Sequence, residues 1–192
     1  MMTDGTVLVI DNLEPEISEW LTLEYRHASK LWNGNVVFTS IPDEKSASAL
    51  RPLGKVENGN PGELFGQKKC IILDPLAEQP LEPKDFQGLD VLIVGGILGY
   101  EKPQGRTKKL LSDRYGFPTR NLGSAQLSID GAVFVAKAVS LGMKLAELEI
   151  ACEVEIAHDE IHSTILPFGY PVVDNNVIIT PGLVEYLTRD DR

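Results

Sequence analysis

The chain has 192 residues, 43% of them hydrophobic and 24% charged. That suffices for one globular domain, 1–192, with a sizeable core, and no apolar run reaches the roughly 20 residues a membrane span requires. A net charge of −10 disfavours a phosphate backbone as partner and favours a basic polypeptide.

Thr6–Ile10 reads as the first strand, ended by Asp11, Asn12 and Pro15. No basic leader precedes it, which points to a cytoplasmic protein. Ile17 to Trp32 has helical periodicity, with Trp20, Leu23 and Leu31 near one face and Glu16, Glu19 and Glu24 interspersed. Asn33-Gly34-Asn35 supplies the left-handed residues of a C-cap. Val36–Thr39 is a second strand, and Ile41-Pro42-Asp43 leads into a short helix ending near Arg51. Gly54–Gly66 reads as a surface loop with one helical turn at Glu63–Phe65. Lys69–Leu73 is a third strand, Pro80–Lys84 a loop and Leu89–Val94 a fourth strand, apolar enough to be buried on both faces of a parallel sheet.

Gly95 and Gly96 are expected to turn the chain at the end of that strand. Arg106–Tyr115 should be a helix, and Thr119–Leu122 a short strand stopped by Gly123. Ser124–Met143 is the longest helical pattern. Leu148–Ile156 alternates apolar residues with Glu149, Ala151, Glu153 and Glu155, which predicts one half-buried strand with an acidic outer face. Ser163–Val173, broken by prolines, reads as irregular or edge structure. A turn at Asn175-Asn176, a strand at Val177–Ile179 and a helical turn at Pro181–Leu187 close the chain. Strands alternating with helices give an α/β fold with a mainly parallel sheet. Cys70 and Cys152 both fall in strand-like segments and are expected to be reduced core residues.

Chemistry concentrates at strand ends. Gly95-Gly96-Ile97-Leu98-Gly99 is neither G-x-G-x-x-G nor a P-loop, since Arg106 stands where the P-loop lysine belongs and the spacing is one residue too long. Leu73-Asp74-Pro75 and Leu122-Gly123 also lie just past predicted parallel strands. Three such loops converge on one crevice if their strands are neighbours, and backbone-rich walls suit a purine. Side chains at Gly96 or Gly123 are expected to fill the space that purine needs. Arg106, Lys108, Lys109 and Arg114 form a small basic cluster beside the crevice, with Arg106 placed to touch substrate or cofactor. His158-Asp159-Glu160-Ile161-His162 departs from the H-E-x-x-H pattern and reads as a polar surface turn, so no metal is expected.

Several motifs in order carry a resemblance: Ser18-Glu19-Trp20 with Leu23-Glu24-Tyr25, Leu73-Asp74-Pro75, Gly95 to Gly99, Arg106-Thr107-Lys108, Leu122-Gly123 with Gln126, and Pro167-Phe168. Together they resemble the SPOUT methyltransferase superfamily, in the branch that holds a fungal protein-arginine methyltransferase of a ribosomal protein and archaeal members predicted to methylate RNA. The resemblance implies a doubly wound sheet with a C-terminal trefoil knot, a monomer, and S-adenosylmethionine bound among three loops. By position these are Leu73, Asp74 and Pro75; Gly95, Gly96, Ile97 and Gly99; and Leu122, Gly123, Gln126 and Leu127. An arginine substrate needs carboxylates to hold its guanidinium and help remove a proton; Glu19 and Asp130 are the candidates, and Arg106, at the crevice, is the third candidate catalytic residue. The substrate implied is a basic ribosomal or ribosome-associated protein. An RNA methyltransferase and a non-catalytic nucleotide-binding module are the alternatives.

Overall fold

The computed structural model describes residues 5–98, 105–157 and 162–189. Its centre is a six-stranded parallel sheet built from β1 (Val7–Asn12), β2 (Val36–Thr39), β3 (Lys55–Val56), β4 (Cys70–Leu73), β5 (Val91–Gly96) and β6 (Thr119–Arg120), in the order β3-β2-β1-β5-β4-β6. β1 and β5 lie side by side in register from Val7 opposite Val91 to Asn12 opposite Gly96. β1 therefore runs two residues past the Ile10 expected from its apolar run, and Gly95 and Gly96 are the last residues of a strand, not a turn. Neither has positive φ.

Alternation along these strands separates two cores. Leu8, Ile10, Leu92 and Val94 point to one face and pack against Leu21, Tyr25 and Trp32 of α1 (Glu19–Leu31) or just after it. Leu50 of α2 (Glu44–Leu50) joins the same core. Val9, Ile72, Val91 and Ile93 point to the other, beside Phe65 of α3 (Pro61–Phe65) and Leu111. Leu111 belongs to a π-helical turn, Lys108–Ser112, that runs into α4 (Asp113–Tyr115). α5 (Ile129–Ser140) covers the first face with α1 through Ile129, Val133, Ala136 and Val139. Helices on both faces of a parallel sheet are the doubly wound arrangement.

α5 begins five residues later than its periodicity suggests. Ser128 caps it, its Oγ accepting from Gly131 N at 3.2 Å. The preceding stretch is held extended by a parallel bridge between Leu127 and Gly169 and by the Gly169 N–H donating to Gln126 O at 2.7 Å.

The predicted strand at 148–156 is two strands in two sheets. β7 (Glu149–Ala151) pairs with β10 (Tyr170–Val173), and β8 (Val154–Ala157) with β9 (Ser163–Leu166). Between them Glu153 takes φ 56°, which no continuous strand tolerates, and Cys152 is exposed, not a core residue. β10 turns through Asp174 and Asn175, both at positive φ, into β11 (Asn176–Val177). α6 (Leu183–Leu187) packs Leu183 and Leu187 with Phe168 and Tyr170 in a third apolar cluster, against Trp20 and Tyr186. No helix among the described residues is long and apolar enough to cross a membrane.

Candidate functional site

A cavity of about 250 Å³ opens at the carboxyl ends of β4, β5 and β6, where parallel α/β sheets bind ligands. Three segments wall it: Leu73 to Leu76 at the end of β4, Val94, Gly95, Ile97 and Leu98 with Gly105 to Thr107 beyond, and Leu122 to Ile129. Leu73, Asp74, Pro75, Gly95, Ile97, Leu122, Gly123, Gln126 and Leu127 all line it, and so does Arg106. Gly99 lies outside the described residues, as do His158 to Ile161. Among the described residues no group of three or more His, Cys, Asp or Glu is arranged to hold a metal.

Gly96 does not line the cavity. A Cβ there would collide with the Tyr25 hydroxyl, which donates to Asn12 Oδ1 at 3.0 Å. Its glycine serves packing of α1 on the sheet, not a purine. Gly123 differs: it lines the cavity, takes φ 98°, and a Cβ there would meet nothing within 4 Å. Backbone conformation demands this glycine, not lack of room.

The walls suit the group that the resemblance implies. Leu73, Val94, Ile97, Leu122 and Leu127 give apolar surface for an aromatic base. The Gln126 side chain and the backbone around Gly123 offer hydrogen-bonding edges, and Asp74 puts a carboxylate on the wall. That carboxylate is buried and fixed, accepting from Leu76 N at 2.9 Å and from Ser112 Oγ at 2.6 Å.

Glu14 organises one wall from behind. Its Oε1 accepts from Leu98 N at 3.1 Å and from Arg106 Nη1 at 3.0 Å. One oxygen thus ties the end of β5 to the start of the helical segment after Gly105. Arg106 is half-buried in this pair, whereas Lys108, Lys109 and Arg114 are exposed, so the four cations do not form one patch.

Beneath the third wall lies a buried acid pair that the sequence reading did not isolate. Glu24, on α1, accepts from Trp20 Nε1 at 2.6 Å and from Ile129 N at 2.9 Å. Burial, and then the neighbouring Asp130, push its carboxyl up to about 8. Asp130 is only 2% exposed. It accepts from Ser128 Oγ at 2.8 Å and Thr180 Oγ1 at 2.7 Å, and its Oδ2 lies 2.7 Å from His27 Nδ1. Asp130, expected as a carboxylate that holds the substrate guanidinium, is therefore a core residue, turned into the protein because Ser128, His27 and Thr180 satisfy it. The Tyr170 hydroxyl, near both acids, has no hydrogen-bond partner among the described residues, and burial and both acids drive its pKa far up.

Glu19 stands apart from this pair. It opens α1 at the surface, 48% exposed, and Arg189 Nη2 and Nη1 approach its two oxygens at 2.8 Å and 3.0 Å. A signal for Glu24 was present, since it sits between Leu23 and Tyr25 on the buried face of α1. For Glu14 there was none, because its partners are 84 and 92 residues away.

Comparison with known proteins fits this geometry. The family described as SFM1-like, Protein arginine N-methyltransferase SFM1-like, matches residues 7–192. Protein arginine N-methyltransferase SFM1 of Saccharomyces cerevisiae is 25% identical over 203 residues, covering 95% of this chain and 94% of that protein. The crystal structure of yeast arginine methyltransferase SFM1 complexed with SAH matches with a TM-score of 0.84 at 25% identity, covering 94% of each chain. The dual-specific Trm10 of Thermococcus kodakaraensis shares the fold, with a TM-score of 0.58 at 18% identity, covering 74% of this chain and 96% of that one.

Proposed function

The chain belongs to the SFM1-like family, and from that membership we propose that it is an S-adenosylmethionine-dependent methyltransferase acting on an arginine of a basic, ribosomal or ribosome-associated protein. The observation that carries this reading is the cavity at the ends of β4, β5 and β6, in a chain that matches an arginine methyltransferase seen with SAH along nearly its whole length. We read 1–192 as one SPOUT-like domain, a cytoplasmic monomer. The C-terminal trefoil knot belongs to this reading, and the passage of Gly169 alongside Gln126 and Leu127 supports it.

When bound, S-adenosylmethionine supplies an electrophilic methyl. Leu73 to Pro75, Gly95, Ile97 and Leu122 to Leu127 would hold it, with Asp74 offering a negative group to its sulfonium. Gly96 lies behind the wall, against Tyr25, and is not among them. The remaining residues must hold the arginine and help its guanidinium, which has no free lone pair, lose a proton as the new C–N bond forms. We assign the holding to Glu19, the exposed candidate acid. Asp130 acts one layer away, fixing Ser128 and the start of α5, and Arg106 shapes the wall through Glu14.

Transfer of labelled methyl to cell lysate tests the substrate class. Label that survives nuclease and is lost to protease, on arginine, is expected; label that nuclease removes would replace the arginine reading with the RNA one. Calorimetry showing no SAH binding at millimolar concentration would sink the cofactor assignment.

A further inference from the structure

Resting on the arginine reading, we propose that Glu19, Trp20 and Tyr186 form a cradle for the guanidinium of a substrate arginine. In the free protein Arg189 occupies that cradle as a displaceable stand-in.

The contact has the chemistry of arginine recognition. Two guanidinium nitrogens of Arg189 meet the two Glu19 oxygens separately, at 2.8 Å and 3.0 Å, the fork-to-fork pairing that lysine cannot reproduce. The Arg189 guanidinium carbon lies 5.7 Å from the centroid of the Tyr186 ring, within cation–π range. Tyr186 in turn stands edge-on to Trp20, with centroids 6.4 Å apart at 73°. An acid with an aromatic wall is thus already holding a guanidinium.

The cradle is also joined to the cavity. Trp20 donates its indole N–H to Glu24, and Glu24 accepts from Ile129 N on the cavity wall. Two hydrogen bonds separate the aromatic wall from the cavity lining.

Arg189 is not needed to anchor α6, because Leu183 and Leu187 are buried in the third apolar cluster. Both charged side chains are 48% exposed, so the pair is solvent-screened and weak, and an incoming arginine makes the same bonds that Arg189 gives up. The acidic field of the whole chain draws such a partner in. A surface pair of ordinary strength reduces the apparent affinity of a competing arginine roughly two- to six-fold. Removing Arg189 should restore that factor.

The test is a titration of the SAH-bound, 15N-labelled protein with N-acetyl-L-arginine amide, followed at the Trp20 indole N–H. Arg189→Ala should tighten binding roughly two- to six-fold. Arg189→Lys, which keeps charge without the fork, should tighten it less. Glu19→Gln should remove the Trp20 response, and N-acetyl-L-lysine amide should bind more weakly than the arginine probe. SAH affinity should stay constant throughout. Binding unchanged or weakened by Arg189→Ala, an intact response in Glu19→Gln, or equal binding of the lysine probe would overturn the cradle. A cradle that behaves as expected in a protein that transfers no methyl to arginine would instead sink the activity reading alone.

Discussion

Burial places Glu24 where its ionised form is disfavoured, and this makes the protein's stability depend on pH in a stated direction. The carboxyl is raised from 4.5 to about 8, so the folded state holds a proton that the unfolded chain has released across that window. The contribution is fully present below pH 4.5 and is lost as pH rises through about 8. Thermal unfolding should therefore show a loss on the order of 2 kcal/mol between pH 6 and pH 9. Glu24→Gln keeps an acceptor for Ile129 N without an ionisable group and should flatten that slope. A variant with the wild-type slope would assign the pH dependence elsewhere. At this scale the sequence was legible in residue type but not in depth. Glu24 and Asp130 were visible as acids on helices, but a surface and a core carboxylate look alike until the partner helix is in place. Their partners Ile129, His27 and Thr180 are 105, 103 and 50 residues distant.

The cavity depends on how elements end. β5 stops at Gly96, the next helical segment starts at Arg106, and Glu14 holds the two sides together through one oxygen. Glu14→Ala should weaken SAH binding about tenfold, the order expected for losing a half-buried, charge-assisted pair of hydrogen bonds. Glu14→Gln should cost less, because an amide oxygen still accepts. Arg106→Ala added to Glu14→Ala should cost less than it does alone, since the two share one interaction; strict additivity in calorimetry would argue against the tie. Central elements were readable because β1, β4 and β5 are short apolar runs and α1 has a clear face. Ends were not. The stretch from Ser124 to Ser128 fits a helix by periodicity, but the bridge from Leu127 to Gly169 holds it extended. The alternation at 148–156 concealed the break at Glu153 for the same reason: each half pairs with a different distant strand.

Across the whole molecule, the net charge of −10 is a statement about encounter, not fold. Attraction of a basic substrate should fade as salt shortens the Debye length from about 10 Å at 0.1 M toward about 3 Å at 1 M. KM for a basic protein acceptor should rise across that range while SAH affinity, set inside the cavity, changes little. Tightening with salt, or competition by polyanionic RNA that is stronger than competition by a basic peptide, would contradict this. The order β3-β2-β1-β5-β4-β6 was only partly foreseeable. Alternating strands and helices called for a parallel sheet, but the sequence does not say which strands are neighbours.

The pairing of Gly169 with Gln126 and Leu127 also sets a timetable. A chain emerging from the ribosome can lay down β1 to β6 and α5 before residue 169 exists. The third cavity wall then still lacks the strand segment that holds it extended. Competence to bind cofactor therefore waits on residue 169, well after the sheet itself is laid down. A nascent chain halted before that point has most of the sheet but not yet an enzyme.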